Sequence, residues 1–324
     1  MKRIFALGLL ICVASWAEAQ QNAQISQYMF NGVYINPAYA GYKEELNAHS
    51  FFRRQWTGIK GAPQTAAMAI DAIANDGNVG LAFQVSADKM GALGSFSAYG
   101  SYAYRLRVGS DEASRLAFGV GFGVIQNRLD GTLFDAIDQQ DGKILNIVEK
   151  SLAPDARVGM FFSNEKWYAG FSVDNLIAHY LIKKEKLSPY FAIPRPNYYL
   201  TAGTMLPINE FIQVKPSFLL IDDRSGPTSL DLNAFVLIND RIWLGGGYRT
   251  AVKLYEKSYL PSDAAKSNSV IGMTEFFILP QLRLGYAYDF ALGGLSGTSG
   301  GSHEVSIGFY FQKNKIRMMS QRYF

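Results

Sequence analysis

The clearest pattern in the chain is an alternation of large apolar residues with polar or small ones. In Leu282–Phe290, leucine and tyrosine occupy every second position, and arginine, glycine, alanine and aspartate lie between them. In Leu116–Val124, glycine and alanine alternate with large apolar residues. Successive side chains of a β-strand face opposite sides, so each segment predicts a strand with one apolar face. The pattern predicts an all-β fold and fits both a soluble sandwich and a membrane barrel.

Fourteen segments satisfy this criterion. They are Leu46–Arg54, Gln64–Ala74, Val79–Ala87, Ser95–Leu106, Ser114–Asn127, Asp155–Phe162, Trp167–Val173, Asn197–Met205, Phe211–Leu220, Thr228–Leu237, Arg241–Tyr248, Ser269–Phe277, Leu282–Phe290 and His303–Phe311.

The connections between these segments alternate in length. Asn75–Asn78 and Ser163–Lys166 are tight turns, whereas Arg128–Pro154 and Asp174–Pro196 are long. Outer-membrane barrels combine brief periplasmic turns with extended external loops, and a sandwich has no reason to sort its loops in this way. The sequence therefore predicts a closed antiparallel transmembrane β-barrel of about fourteen strands. Only Arg107–Ala113 is somewhat long for a periplasmic turn.

The amino-terminal residues predict export. Met1–Arg3 is a short basic region, Ile4–Trp16 is apolar, and Ala17–Ala19 offers a small-x-small cleavage site before Gln20. The apolar run is too short for a permanent membrane helix, which needs roughly 20 residues. We therefore expect residues 1–19 to be a signal peptide.

The rest of the chain divides into three parts. We expect residues 20–45 to form a periplasmic N-terminal segment, 46–311 the barrel, and 312–324 a basic periplasmic tail. An even number of strands places both termini in the periplasm and makes the chain a multi-pass protein of the outer membrane. The tail is either disordered or a contact for a periplasmic partner.

Composition agrees with this reading and excludes some functions. Aromatic residues make up 14% of the chain and glycine is frequent, which suits aromatic girdles and a crowded lumen. The net charge of +4 is too small to imply a nucleic-acid partner. Cys12 is the only cysteine and lies in the signal peptide, so disulfides and thiol chemistry are excluded from the mature chain.

Several blocks resemble the PorP/SprF family. Gln27–Asn31 followed by Asn36–Gly41 resembles the opening signature of the family, Arg54–Pro63 its next block, and Ser302–Val305 its closing strand. The resemblance covers essentially the whole mature chain. It implies an outer-membrane component associated with the type IX secretion system of Bacteroidota, which supports secretion or surface attachment of large adhesins. In some members this role is linked to gliding motility.

Two of these blocks are candidate working surfaces. Asn36–Gly41 cannot be a regular strand, because Pro37 lacks a donor and Gly41 permits an unusual turn. The N-terminal segment therefore either enters the lumen as a plug or stays a loose periplasmic segment. Trp56–Pro63 falls in the first external loop, as an interfacial anchor with a compact turn or as a contact for a secreted partner. The candidate plug or partner-contact residues are Tyr28, Phe30, Asn31, Asn36, Pro37, Tyr39, Gly41, Trp56, Gly58, Gly61 and Pro63.

The sequence offers no catalytic, cofactor or metal site. Its three histidines, His49, His179 and His303, are expected at opposite rims of the barrel and in an external loop. None has another histidine at metal-ligand spacing, and none converges on a serine or carboxylate as catalysis requires. We therefore expect a protein that is not an enzyme and needs no cofactor.

The expected function is non-enzymatic support of type IX secretion and of adhesin attachment. The expected partners are outer-membrane lipid, lipopolysaccharide, secretion components and a secreted adhesin, and the basic run Lys183–Lys186 is either a solvated face or such a contact. The alternative is a passive channel or FadL-like transporter, because several predicted inward residues are polar enough to hold water. These are Gln213, Lys215, Asp231, Asn233, Arg283, Asp289 and Glu304.

Overall fold

The computed structural model describes residues 24–109, 113–133, 148–184, 194–224, 226–257, 268–292 and 296–311. The predicted signal peptide 1–19 and basic tail 312–324 lie outside the described residues, as does part of the basic run at 185–186.

Among the described residues, fourteen long strands and one α-helix follow the N-terminal segment. The strands are β1 (Leu46–Arg54), β2 (Gln64–Ala74), β3 (Val79–Met90), β4 (Leu93–Arg107), β5 (Arg115–Asp130), β6 (Val148–Ser163), β7 (Trp167–Asp174), β8 (Asn197–Thr204), β9 (Ile212–Asp222), β10 (Thr228–Ile238), β11 (Ile242–Val252), β12 (Asn268–Phe277), β13 (Leu282–Leu292) and β14 (Ser302–Phe311). The helix, α1 (Ala178–Lys184), lies between β7 and β8.

Each strand pairs antiparallel with its neighbours in the chain, and the sheet closes on itself. β14 pairs with β1 along nine residues, from Leu46 opposite Phe311 to Arg54 opposite His303. After Met205, the two residues Leu206–Pro207 continue the β8 edge and pair with β9. Closure leaves no free sheet edge in the ring, as a membrane requires of a β-structure. The chain is a closed antiparallel barrel of fourteen strands, as the sequence predicts.

The two faces of the barrel differ as the alternation predicts. Outward side chains are large and apolar, and Phe122 and Leu152 are 66% and 63% exposed. Inward positions include Arg53, Arg157 and Lys215, all of them fully buried. The apolar face suits lipid, and charges on the inner face are removed from it.

The connections divide the barrel into two ends. At the short-turn end, which also carries the start of β1 and the end of β14, turns such as 164–166 and 239–241 are brief. At the long-loop end the connections include 131–147, 175–196 and 253–267. None of the helices in the described part of the chain is long and apolar enough to cross a membrane.

Two connections at the long-loop end are shorter than the alternation of loop lengths predicts. β3 and β4 meet in a hairpin of only two residues, in which Gly91 has a φ of +57°, the left-handed conformation that tight hairpins need. β9 and β10 are joined by 223–227, where Asp222 Oδ1 accepts a hydrogen bond from Arg224 N at 2.8 Å. The polar pair Asp88–Lys89 conceals the first hairpin in the sequence, because it interrupts the apolar alternation while the strand continues.

The largest boundary error is at the start of β6, and smaller errors of three or four residues occur at the ends of β3, β5 and β11. β6 begins at Val148 and not at Asp155. Pro154 lacks a backbone donor and marks a strand end in sequence terms, but here it lies within the strand opposite Val124.

Candidate functional site

The N-terminal segment, defined here as residues 24–45, lies inside the barrel. It forms three short 3-10 turns, Tyr28–Phe30, Gly32–Tyr34 and Pro37–Tyr39. Two asparagines hold the turns: Asn31 Oδ1 accepts from Val33 N at 3.2 Å, and Asn36 Oδ1 from Ala38 N at 2.9 Å. Pro37 suits the first position of its turn, where no backbone donor is needed. These residues form a series of turns because hydrogen bonds to nearby side chains take the place of the backbone hydrogen bonds between strands.

The segment runs along the lumen from one end to the other. Ser26 lies towards the long-loop end, where it contacts Glu304 near the start of β14. Gly41 lies towards the short-turn end and donates from its backbone nitrogen to Asp71 Oδ2 at 3.1 Å. Glu44 then accepts from Arg105 at 3.1 Å, close to the turn Asn75–Gly77.

Aromatic side chains of the segment form much of the hydrophobic core. Phe30 packs against Phe235 and Trp243 at ring distances of 5.6 and 6.1 Å. Tyr39 packs against Tyr42 and Phe161 at 4.9 and 5.3 Å. Such edge-on and tilted pairs are favourable ring arrangements. The lumen at this level is therefore a packed interior.

Glycines on the inner wall make room for the segment. A Cβ atom at Gly80 would meet the Ala40 carbonyl, one at Gly119 would meet Ala38, and one at Gly159 would meet the Asn36 side chain. Because the obstacle at Gly80 and Gly119 is backbone, a side chain there would displace the segment. These positions are glycine for reasons of space.

Basic and polar side chains of the barrel wall donate hydrogen bonds to backbone carbonyl oxygens of the segment. Lys215 Nζ donates to Met29 O at 3.2 Å, Arg283 Nη1 to Phe30 O at 3.3 Å, and Arg157 Nη2 to Tyr34 O at 2.9 Å. Ser172 Oγ donates to Ile35 O at 2.5 Å. Backbone groups buried away from water need such partners, so these contacts stabilise the irregular chain inside the barrel.

A buried ion network holds the start of the segment. Arg53 pairs with Asp289 at 2.7 Å and with Glu304 at 3.2 Å, and Arg249 pairs with Asp289 at 3.3 Å. The two carboxylates also accept from Ser26, the Ser26 hydroxyl bonding Asp289 and its backbone nitrogen bonding Glu304, each at 2.8 Å. Opposite charges thus neutralise one another around the segment, as buried charges require.

The structure brings together seven of the eleven candidate residues. Tyr28, Phe30, Asn31, Asn36, Pro37, Tyr39 and Gly41 all lie in the lumen and are buried.

The other four candidates, Trp56, Gly58, Gly61 and Pro63, lie in the connection between β1 and β2 at the long-loop end. That loop is bonded to its neighbours: Thr57 N donates to Gly301 O, and Gly91 N to Gly61 O. A contact of 3.5 Å between Gln55 Nε2 and Gln24 Oε1 links this loop to the N-terminal segment.

Sequence reasoning missed several residues that hold the segment. Ser26 and Gln27 are absent from the candidates, although Gln27 N donates to Glu304 Oε1 at 2.8 Å. Lys215 and Arg283 were expected to face water, but they bond the segment instead. One available signal was the inward pair Arg53 and Glu304, which face each other directly across β1 and β14.

The described residues enclose a cavity of about 330 Å³ towards the long-loop end of the lumen. Ile25 and Tyr34 of the segment contribute to its floor, and β3, β4, β8 and β9 contribute to its walls. Among the described residues it extends to the hairpin at Met90 and to the loop at Pro227, both at the long-loop end.

The histidines lie apart from one another. His49 is buried mid-strand below Tyr34, whose hydroxyl lies 3.2 Å from Nδ1, and not at a rim as expected. His303 is on the outer face beside Tyr286, and His179 bonds Pro194 O. Within the described ranges, no group of three histidine, cysteine, aspartate or glutamate residues could hold a metal ion.

Comparison with known proteins gives one family and several similar folds. The family model described as type IX secretion system membrane protein PorP/SprF matches residues 17–309. No curated protein matches the chain significantly. The solved structure of the CymD monoaromatic hydrocarbon channel is similar, with 11% identity, 90% of this chain and 94% of that chain covered, and a TM-score of 0.52. A Pseudomonas aeruginosa FadL homologue has 10% identity, 88% and 94% coverage, and a TM-score of 0.48. At such identities the likeness concerns the fold alone.

Proposed function

Because the chain belongs to the PorP/SprF family of type IX secretion system membrane proteins, we propose that it is a plugged outer-membrane platform. The platform holds secretion components or a secreted adhesin at its long-loop end. The observation that carries this proposal is the filling of the lumen by the N-terminal segment, whose backbone is bonded to Lys215, Arg283 and Arg157. A barrel with such an interior is better suited to binding partners at its loops than to conducting solutes through its lumen.

The proposal includes an orientation. The short-turn end faces the periplasm and the long-loop end faces outwards, in keeping with outer-membrane barrels generally. The signal peptide 1–19 is removed on export, the N-terminal segment acts as the plug, and residues 312–324 remain in the periplasm. Trp56, Gly58, Gly61 and Pro63 then belong to the outer surface.

The partners and the chemistry of the platform are also part of the proposal. Surface attachment of an adhesin, in a system linked to gliding motility, requires binding and no bond-making step. Outer-membrane lipid surrounds the apolar face, and lipopolysaccharide surrounds the loops. We accordingly propose a non-enzymatic role.

Electrical conductance in planar bilayers tests the plug. The mature barrel is expected to show no steady conductance, whereas a variant lacking residues 24–41 is expected to show a steady open pore, because the deletion removes the packed interior. If the deletion variant does not fold, a protease experiment on the full chain in intact outer membranes tests the plug instead. Residues 24–41 are then expected to resist cleavage. A steady pore in the full chain, or rapid cleavage of this segment, would favour the transporter alternative.

Photo-crosslinking in cells tests the partner. A photoreactive residue at Thr57, in the loop joined to Gly301, is expected to capture a secreted adhesin or a secretion component. The matched control is the same residue at Asn164, in a turn at the opposite end, which is expected not to capture the adhesin. Recovery of neither class of partner from Thr57 would contradict the platform.

A further inference from the structure

A row of basic side chains crosses the outer face of the barrel towards the long-loop end. Each member lies directly opposite the next on the neighbouring strand, and directly opposed residues share one face of a sheet. Arg54 is exposed whereas its neighbour Arg53 is buried in the lumen, so this face is the outer one. The cationic row, as we call it, consists in strand order of Arg54, Gln64, Lys89, Gly94, Arg128 and Lys150.

The register of the strands shows how the row is inclined. Strands of outer-membrane barrels tilt by about 35–45°, so a line of directly opposed residues climbs from strand to strand. Followed from Arg54 in the other direction, the same register descends through Tyr288 and Gly246 to Pro216, near the short-turn end of β9. Five strand spacings of about 4.8 Å at this tilt place Lys150 roughly 15 Å further out than Arg54.

The lower end of the row lies at the edge of the apolar surface. Arg54 follows Leu46, at the start of β1, by eight residues, which is about 27 Å along the strand and roughly 20 Å along the barrel axis. The lipid-facing band of such barrels is about 25 Å tall, so Arg54 is close to its upper border. Phe96 and Leu152, each two residues nearer the short-turn end than a member of the row, are 43% and 63% exposed. The row therefore borders the lipid directly and continues outwards into the headgroup region.

The positive charges of the row are available to a ligand. Among the described residues, Arg54, Lys89 and Lys150 form no ion pair, and all three are exposed. Arg128 pairs with Asp130 at 3.0 Å, but its side chain is 52% exposed, and exposed pairs contribute little free energy. The row thus presents four basic side chains to anions on the outer face, as an electrostatic binding surface requires.

Gly94 leaves a gap in the middle of the row. A Cβ atom there would meet nothing closer than 3.8 Å, and Lys89 and Arg128 flank the gap on β3 and β5. Two strand spacings separate their Cα atoms by about 10 Å, a distance that two long side chains can bridge by holding one group between them. Lysine and arginine bind phosphate through charge-assisted hydrogen bonds, and arginine can make two at once. The gap therefore suits one phosphate group.

We propose that the cationic row binds the phosphate groups of lipopolysaccharide in the outer leaflet. Lys89 and Arg128 hold one phosphate over Gly94, Arg54 lies beside the lipid anchor, and Lys150 reaches towards the sugar core. A lipid fits better than a soluble anion, because the row lies directly above apolar side chains that receive acyl chains. This inference rests on the proposed function, which places the long-loop end outside the cell, and it assigns the lipopolysaccharide a binding site on one side of the ring.

Lipid binding to the mature barrel in micelles of a zwitterionic detergent tests the site. The probe is fluorescently labelled, rough-type lipopolysaccharide, and anisotropy measures its affinity. Lys89→Gln and Arg128→Gln are each expected to weaken binding about fivefold, the usual contribution of one basic residue near an anionic lipid surface. Raising the salt concentration is expected to reduce this difference, since salt screens exposed charges. Heat-modifiability on gels verifies that each variant forms a barrel.

The matched control removes a positive charge at the same end of the barrel but outside the row. Arg224 lies in the connection between β9 and β10, where its guanidinium is over the Tyr198 ring at 4.9 Å. Arg224→Gln is expected to leave the affinity unchanged. Lipopolysaccharide without its phosphates is expected to bind weakly, and equally to the unsubstituted barrel and to Lys89→Gln. Millimolar inorganic phosphate is expected not to displace the intact lipid.

Three results would overturn the inference. Unchanged affinity in both Lys89→Gln and Arg128→Gln would show that the row does not hold the lipid. Equal binding of the lipid with and without its phosphates would show that phosphate is not recognised. Displacement by inorganic phosphate would indicate a simple anion site instead of a lipid site.

Photo-crosslinking in cells separates a failure of this inference from a failure of the proposed function. A photoreactive residue at Gln64, between Arg54 and Lys89 in the row, is expected to capture lipopolysaccharide. No capture at Gln64 together with capture of an adhesin at Thr57 would remove the lipid site and retain the platform. Capture of lipopolysaccharide at Gln64 with no protein partner at Thr57 would retain the lipid site and remove the platform.

Discussion

Two parts of the lumen contain similar residue types but pair them differently. In the part filled by the N-terminal segment, Lys215, Arg283 and Arg157 each donate to a backbone carbonyl of the segment. In the part that surrounds the cavity, Gln84 Oε1 and Asn197 Nδ2 are buried and have no hydrogen-bond partner among the described residues. The first part has the character of a protein core, and the second is packed and paired less completely. Inward polarity alone therefore does not distinguish a plug from a pore or a pocket.

The largest expected effect is the loss of a charge from the ion network that holds the segment. Arg53→Met keeps the length of the side chain but leaves Asp289 and Glu304 without this partner. Breaking a buried pair in this way costs about 3–5 kcal/mol, so the free energy of unfolding is expected to fall by that amount. Urea titration of the barrel in lipid vesicles measures it.

The control for this prediction is Arg54→Met. Arg54 is the next residue of β1 and is exposed on the opposite face. Its substitution is expected to change the free energy by no more than about 0.5 kcal/mol. Similar losses in both variants would show that the network does not stabilise the barrel with its enclosed segment.

A smaller effect is expected from crowding the part of the lumen that the N-terminal segment fills. Gly119→Val places a side chain against the backbone of Ala38 and is expected to cost about 1–3 kcal/mol or more, as overpacking does. The displaced segment is also expected to become cleavable by added protease. Gly100→Val is the control, because a Cβ at Gly100 would meet nothing within 4 Å. A protease-resistant segment in Gly119→Val would contradict the packed geometry.

The smallest effect compares one amide from the filled part of the lumen with one from the cavity lining. Asn36 both caps its turn and donates to Met160 O at 3.0 Å, so Asn36→Ala is expected to cost about 0.5–2 kcal/mol. Gln84→Met removes an unpaired acceptor and is expected to be nearly neutral or slightly stabilising. The same urea titration measures both variants. An equally large loss at Gln84 would mean that its amide is paired within the barrel.

Much of the barrel could be predicted from local pattern. β1 and β2 have the predicted bounds, because their alternation is uninterrupted and a block rich in glycine and proline separates them. The family resemblance is confirmed by the match over residues 17–309. The start of β6 was missed because Pro154 resembles a strand end, and the hairpin after Met90 because polar residues conceal it.

The position of the N-terminal segment could not be decided in the same way. Ser26 contacts Asp289 and Glu304, which lie 263 and 278 residues further along the chain. The short 3-10 turns have no periodicity that predicts a lumen, and the segment makes its bonds only when the ring is complete. For the same reason Lys215 and Arg283 were expected to face water.

The closed ring also restricts the order in which the protein can form. Ser26 and Gln27 are bonded to Glu304 of the last strand, and Arg53 of the first strand lies against both Glu304 and Ser26. The pairing of β1 with β14, which closes the barrel, therefore also encloses the N-terminal segment of the same chain. A segment of three folded turns and buried aromatic rings would otherwise have to pass lengthwise through a finished cylinder. Docking of the segment before or during the joining of β1 to β14 avoids this threading.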